Sequence, residues 1–437
     1  MQARELRRLE KRLEGFLSRL TATMGRAERR HWAGVYVRGL LLDGERKSVE
    51  PMAARLGESD QDLQHFVSQS PWSADALLEG LAKTTATTPP AYWVIDETSF
   101  PKAGRHSAGV QRQYCGALGK KANCQIAVSL HRADDAAGSS QPLGWRLYLP
   151  ESWTGDPARR QRAGIPPPVV HHRKLDLALG LIDQALGWKS PAGVVLADEA
   201  YGGSFEWRAA LRARQLFYCV RVPWTTTGWQ EEPRFGSPEP VRRGFRAGRG
   251  PLVSPEPTNL LALAQGLPAS AWKPVTWRQG SKGPQRSRFA TFHLWAAHGW
   301  KQGPQPERVE EIALIEWPEG EPAPTRYWLA RLPKKPALAQ LVATAKARWR
   351  VEQDYRELKD ELGLDHFEGR SWQGFHHHLA LVTTAFVFLR QEQARLRRGA
   401  QKKPAPFHAA PGAPIPASRA HPPEWPLPMV SQPLPAA

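Results

Sequence analysis

The sequence predicts an α/β core interrupted by a β-strand insertion and preceded by an all-helical N-terminal domain. Three observations predict it. Apolar residues recur at helical steps from residue 4 to about 83, and strand-like apolar runs alternate with helical stretches between 91 and 223. A texture rich in Trp, Gly and Pro then takes over from 224 to 335. With 437 residues and 41% hydrophobic content, the chain can bury a sizeable core spread over two or three domains.

The first domain, 1–83, opens with Leu6, Leu9, Leu13, Phe16 and Leu20 at three- and four-residue steps, with Arg and Lys between them. That is an amphipathic basic helix. In SVEPMAARLGESDQDLQHFV, from Ser48, the residues Met52, Ala53 and Leu56 form one apolar face and Gly57 ends it. A second helix follows with Leu63, Phe66 and Val67. Two short helices about a tight Gly turn fit a DNA-reading helix-turn-helix and an ordinary helical hairpin equally well.

A Thr/Pro-rich break at Thr84–Pro90 leads into the first part of the core, 91–223. Strands are expected at Tyr92–Asp96, Cys124–His131 and Leu143–Leu149, then a helix at Lys174–Leu186 with Leu175, Leu179, Ile182 and Leu186 on one face. Strand Val194–Ala197, helix Glu206–Arg214 and strand Phe217–Val222 complete this half. In the insertion, 224–335, strands are expected at Trp272–Arg278, Arg288–Ala296, Val309–Trp317 and Arg326–Leu332. Long helices at Ala337–Leu362 and Phe375–Arg397 make up the segment 336–398 that completes the core. The remainder, 399–437, holds 11 prolines and little apolar periodicity, so it is expected to be disordered.

Sixty Lys plus Arg against 42 Asp plus Glu give a net charge of +18. Such a surplus suits a polyanion, and nucleic acid is the expected partner. Three cysteines, Cys115, Cys124 and Cys219, support neither a disulfide framework nor a common zinc knuckle, so a reducing cytoplasm is expected. Charges interrupt the N-terminal stretch and no run reaches 18 apolar residues, which speaks against a signal peptide and against a membrane.

Three acids carry the chemistry: Asp96 in YWVIDETSF, Asp198 in VVLADEAYG and Glu352 in RWRVEQDYRELK. Two are expected to end strands, where open α/β sheets gather ligands, and the third lies on a helix. A phosphodiester is a poor electrophile shielded by negative charge. Pairs of Mg²⁺ roughly 3.5–4 Å apart, with Mn²⁺ as a substitute, commonly activate the attacking oxygen and steady the leaving one. Glu97 and Glu199 are neighbouring rivals, but successive strand residues point to opposite faces. Steps of four and seven residues place Arg348, Glu352 and Lys359 on one helical stripe, so Glu352 can face metal while the two cations face phosphate. By itself such a stripe is more often a solvated ion-pair face.

Lys102, Arg105, His106, Arg112, Lys120 and Lys121 cluster after the first acid in a Gly-rich stretch, where phosphate contact and plain solubility compete. Eighteen Trp are many for this length. Those of the insertion, among them Trp277, Trp295, Trp300, Trp317 and Trp328, read better as packing than as base-stacking residues. His376, His377 and His378 are consecutive on a helix and diverge by about 100°, which denies them a common metal ion; they read as incidental, with phosphate contact as the functional alternative.

At Arg348, Glu352 and Lys359 the chain resembles bacterial insertion-sequence transposases of the DDE class. The insertion-sequence-4 group carries a Tyr-x2-Arg-x3-Glu-x6-Lys signature, here with Ala345 at the Tyr position. The sequence is more similar to the insertion-sequence-701 family through SVEPMAARLG at Ser48–Gly57 and LQHFVSQSPW at Leu63–Trp72. Longer blocks at Ile95–Leu130 and Leu362–Leu381 extend the likeness. The resemblance implies an RNase-H-like core, metal ligation by Asp96, Asp198 and Glu352, and DNA contacts by Arg348 and Lys359. It further implies cut-and-paste joining of a 3′-hydroxyl to target DNA, with a homodimer holding double-stranded terminal inverted repeats. A non-catalytic, domesticated DNA-binding protein and a stand-alone nuclease are the rival readings.

Overall fold

The computed structural model describes residues 3–85, 91–134, 138–236, 251–280, 283–298 and 309–401. Five helices open the chain: α1 (Ala3–Thr21), α2 (Ala27–Leu41), α3 (Val49–Leu56), α4 (Asp60–Ser68) and α5 (Ala74–Thr85). On α1 the buried side chains are Leu13, Phe16, Leu17, Leu20 and Thr21, one stripe of an otherwise charged helix. Helix α3 stops at Gly57, whose left-handed backbone (φ 68°) suits a residue without Cβ. Ser59 then caps α4 by accepting a hydrogen bond from the Asp62 amide.

The next elements are β1 (Tyr92–Pro101), β2 (Gln111–Cys115), β3 (Lys120–Asp134), β4 (Ser139–Leu147), α6 (Pro157–Arg162) and α7 (Lys174–Gly187). They are followed by β5 (Val194–Ala197), α8 (Glu199–Gly202), α9 (Phe205–Ala213) and β6 (Tyr218–Val222). Beyond these come β7 (Thr227–Trp229), β8 (Thr258–Asn259), α10 (Leu260–Gln265), β9 (Lys273–Gly280), β10 (Gly283–Ala296), β11 (Glu310–Trp317) and β12 (Arg326–Arg331). Helices α11 (Leu338–Lys346), α12 (Trp349–Asp360) and α13 (Trp372–Gln401) close the described chain.

The strands form a mixed twelve-stranded sheet in which β3, β1, β5, β6, β12, β11 and β10 lie side by side. Strand β1 runs parallel to β5 and antiparallel to β3, while β5 and β6 are parallel. The strands between 273 and 331 do not form a sheet of their own: β12 pairs antiparallel with β6 and so extends the same sheet. Burial holds that junction together. The Arg208 guanidinium of α9 donates to Glu311 of β11 at 2.9 Å, the Tyr218 hydroxyl of β6 donates to the same carboxylate at 2.6 Å, and both charged groups are about 1% exposed.

Two expectations of element length are corrected. Strand β1 continues five residues past Asp96 because Glu97–Pro101 go on pairing with Val128–Cys124. The single helix expected over 337–362 is two, since the Ala347, Arg350 and Val351 amides bond to residues three back, a tighter 3₁₀ pattern that re-aims the chain at Arg348.

Helix α13 is the hub of the packing. Its central residues Leu379, Ala380, Leu381, Val382, Ala385, Phe386, Val387 and Phe388 are buried, as in a helix enclosed by its neighbours, and it packs against α2, α4, α5 and β4. One apolar core therefore runs from α1 and α2 through α13 to the sheet. The 399–437 tail called disordered lies, from 402 onward, outside the described residues.

Candidate active site

The sheet register brings the first two acids level. Val94 on β1 pairs with Leu196 on the parallel strand β5, and Asp96 and Asp198 each stand two residues further on, hence side by side with the same facing. The rest of β1 is paired on its other side only, with β3, where Ser129 is the partner of Asp96. Asp198 leaves β5 and caps the short helix α8, its carboxylate accepting the Ala200 amide at 3.0 Å.

Helix α12 supplies the third acid. It is anchored over β3 by its buried face: the Tyr355 hydroxyl lies 2.6 Å from that of Ser129, and Asp354, fully buried, receives Ser140 together with His131 at 3.2 Å. Glu352, one turn earlier, is left exposed at the start of the helix. Arg348 spans the gap. One arm of its guanidinium donates to Asp96 at 2.5 Å and the other to Glu352 at 2.6 Å.

Burial pushes the Asp96 carboxyl up to about 7, against the pull of Arg348, and the charges of Asp198 and Glu352 push in the same direction. Both other acids thus act on Asp96 through space. Among the described residues no three acidic, His or Cys side chains form a ready-made metal cage, and the cation between Asp96 and Glu352 is the Arg348 guanidinium. The donor set is of the right kind, since hard carboxylate oxygens from separate elements suit Mg²⁺ or Mn²⁺.

The rival carboxylates are engaged elsewhere. Glu97 accepts Lys174 at 2.8 Å, and Glu199 stands 3.6 Å from Arg221. Tyr201 follows Asp198 by three residues, on α8. It is buried beside the acids with no hydrogen-bond partner for its hydroxyl among the described residues, and burial together with Glu97, Asp198 and Asp96 raises its pKa.

The expected DNA-contacting cations divide into two groups. Lys359 donates to the Ser99 carbonyl at 3.0 Å and Lys102 to that of Phe367, and burial lowers the pKa of both. Lys102 and His106 border a cleft of about 680 Å³ that Glu45, Asp365 and Glu368 also line. Arg105, His106, Arg112, Lys120 and Lys121 are exposed. The phosphate reading of the three consecutive histidines is corrected. His377 stacks on Trp72 at 3.6 Å, His378 takes the Tyr36 hydroxyl at 2.9 Å, and His376 bonds the Trp372 carbonyl, all within the packing of α13.

Residues 19–284 match the family described as DDE superfamily endonuclease, about three-fifths of the sequence. The chain belongs to that family. The matched residues of this DDE-superfamily protein include Asp96 and Asp198, while Arg348, Glu352 and Lys359 lie beyond them. A probable transposase for insertion sequence element IS701 from Microchaete diplosiphon is 33% identical over 173 residues, which is 38% of this chain and 41% of that relative. The match therefore spans less than half of the relative's length. No helix among the described residues is long and apolar enough to cross a membrane.

Proposed function

We propose that this protein is an insertion-sequence transposase of cut-and-paste type, cleaving double-stranded transposon ends and joining the 3′-hydroxyl to target DNA. One observation carries the reading: Asp96 and Asp198, about 100 residues apart in the chain, stand level on a parallel strand pair, and Arg348 bridges Asp96 to Glu352, about 150 residues further on. The strand order β3-β1-β5-β6, antiparallel then parallel, supports an RNase-H-like core. Two divalent cations held by the three carboxylates would activate the attacking oxygen and stabilise the leaving one.

The chain's own residues do the rest. A phosphate entering between Asp96 and Glu352 meets the Arg348 fork, whose planar pair of donors suits phosphate oxygens as well as carboxylates. Asp354 and Tyr355 fix α12, and with it Glu352, over β3, the strand that pairs with the one carrying Asp96. The +18 charge draws DNA to the surface, and Gly57 with its two flanking helices supports a DNA-reading role for the N-terminal helices, in a homodimer that pairs two ends.

The test is end cleavage and strand joining in Mg²⁺ or Mn²⁺ with Asp96→Asn, Asp198→Asn and Glu352→Gln. Each is expected to lose more than about 100-fold in cleavage, beyond what the loss of an outer-shell partner costs, while retaining DNA binding. Full cutting by any one variant rejects that residue as a ligand. Nicks without joined products would indicate a nuclease, and specific end binding with no nicks a non-catalytic binder.

A further inference from the structure

Between Glu97 and Asp134 the chain has no acidic residue but six Lys and Arg, and it is there that the β2–β3 hairpin forms. The ribbon projects past the sheet. Strand β1 ends opposite Cys124, so residues 120–123 of β3 pair with β2 alone. It is nonetheless held firmly at its base. The Ser99 hydroxyl accepts the Ala117 amide at 2.9 Å, and the Asn123 side chain donates to the carbonyls of Lys102 and Gly104 at 2.7 Å each.

One face of this ribbon is solvated in alternation. Arg112 and Tyr114 are exposed while Gln113 is half-buried and Cys115 buried, and the cross-strand partner of Tyr114 is Lys121. Tyr114 is 62% exposed, an outlier for an aromatic ring in a rigid strand, and its ring stacks on nothing among the described residues. Register fixes which way it points. Lys121 has the parity of Ser129 on β3, and Ser129 is the partner of Asp96, so Tyr114, Arg112 and Lys121 face the same side of the sheet as Asp96. Eight residues of β3 separate the two places, roughly 27 Å at the rise of a strand.

We infer that the β2–β3 hairpin is a single-strand DNA contact, with Tyr114 stacking on an unpaired base and Arg112 and Lys121 holding the flanking phosphates. An exposed aromatic between cations on a ribbon that carries no carboxylate of its own fits single-stranded nucleic acid, because every base has a face to stack and every linkage a charge to pair. A duplex hides its base faces. The inference rests on the proposed DNA-end function and adds a place where a strand separated from its complement is held.

Fluorescence anisotropy of the full chain with labelled single-stranded and duplex oligonucleotides, in EDTA, tests it without requiring cleavage. Tyr114→Ala is expected to weaken single-strand binding by about 5- to 150-fold, Tyr114→Phe and Tyr114→Trp to retain it, and duplex affinity to stay within about twofold. The exposed position keeps the Ala variant folded. Unchanged single-strand binding by Tyr114→Ala overturns the inference, as does an equal loss with Phe or an equal loss on duplex. If the unmodified protein binds neither DNA form, the proposed function falls as well; if it cuts and joins ends while Tyr114→Ala is silent, the hairpin assignment alone falls.

Discussion

Arg348 stands where two acids would otherwise face each other unscreened, and what it does for them depends on its shape. A guanidinium can reach Asp96 and Glu352 at once, whereas an ammonium is a single point. Arg348→Lys is therefore expected to slow single-turnover cleavage by about 10- to 100-fold, the equivalent of one charge-assisted hydrogen bond, with little change in melting temperature. Asp96 makes the opposite kind of prediction. Its folded pKa lies above its ordinary value, so its ionised form is penalised as pH rises from about 4 to 7, and the penalty is complete above that. In metal-free buffer at pH 8, Asp96→Asn is expected to melt a few degrees above the unmodified protein while being inactive; a lower melting temperature would show that the Arg348 pair outweighs the burial. The placement of Asp96 and Asp198 was legible in the sequence because apolar strand runs deliver them to the end of the parallel pairing. The direction of Arg348 was not, since helical spacing gives a stripe but not the partner across from it.

Among the elements, the strands were read best. Val194–Ala197 and the strands around 273–331 fall close to where alternation and turn residues put them. Strand β2 went unread because its polar, Gly-flanked sequence, QRQYC, lacks an apolar face and is held as a strand by its pairing with β3. The break before α12 was hidden for a different reason: the stretch from 341 to 351 holds neither Gly nor Pro, so nothing in it marks the place where the hydrogen bonds tighten. No local signal announced that β12 would join β6, as that pairing spans about a hundred residues. The Arg208–Glu311 pair ties these distant elements together. Glu311→Ala leaves a buried guanidinium uncompensated and is expected to cost about 3–5 kcal/mol in urea unfolding; a loss under 1 kcal/mol would mean that water reaches Arg208.

For the molecule as a whole, the histidines of α13 set an acid limit. Burial lowers His376 and His377 to about 4 and His378 to about 3, only partly opposed by the carbonyls they touch. Each is neutral when folded but takes a proton in the unfolded chain below about 6.5, so stability is full above that pH and falls as pH descends towards 4, by up to about 1.4 kcal/mol per pH unit per group. Denaturant midpoints measured from pH 7.5 to 4.5 should drop steeply below 6.5, and less steeply in His378→Gln once its own starting stability is subtracted. A flat profile would place these rings in contact with water.

The packing of α13 also orders the birth of the protein. Arg12 is clasped by Glu392 across 380 positions of sequence, and the greasy sides of α2, α4 and α5 close upon a helix that leaves the ribosome long after they do. During synthesis the opening helices must wait, half-assembled, for most of the chain to be made. A chain cut short before Trp372 would keep its opening helices with nothing to close them, a natural client for chaperones and proteases rather than a smaller working enzyme.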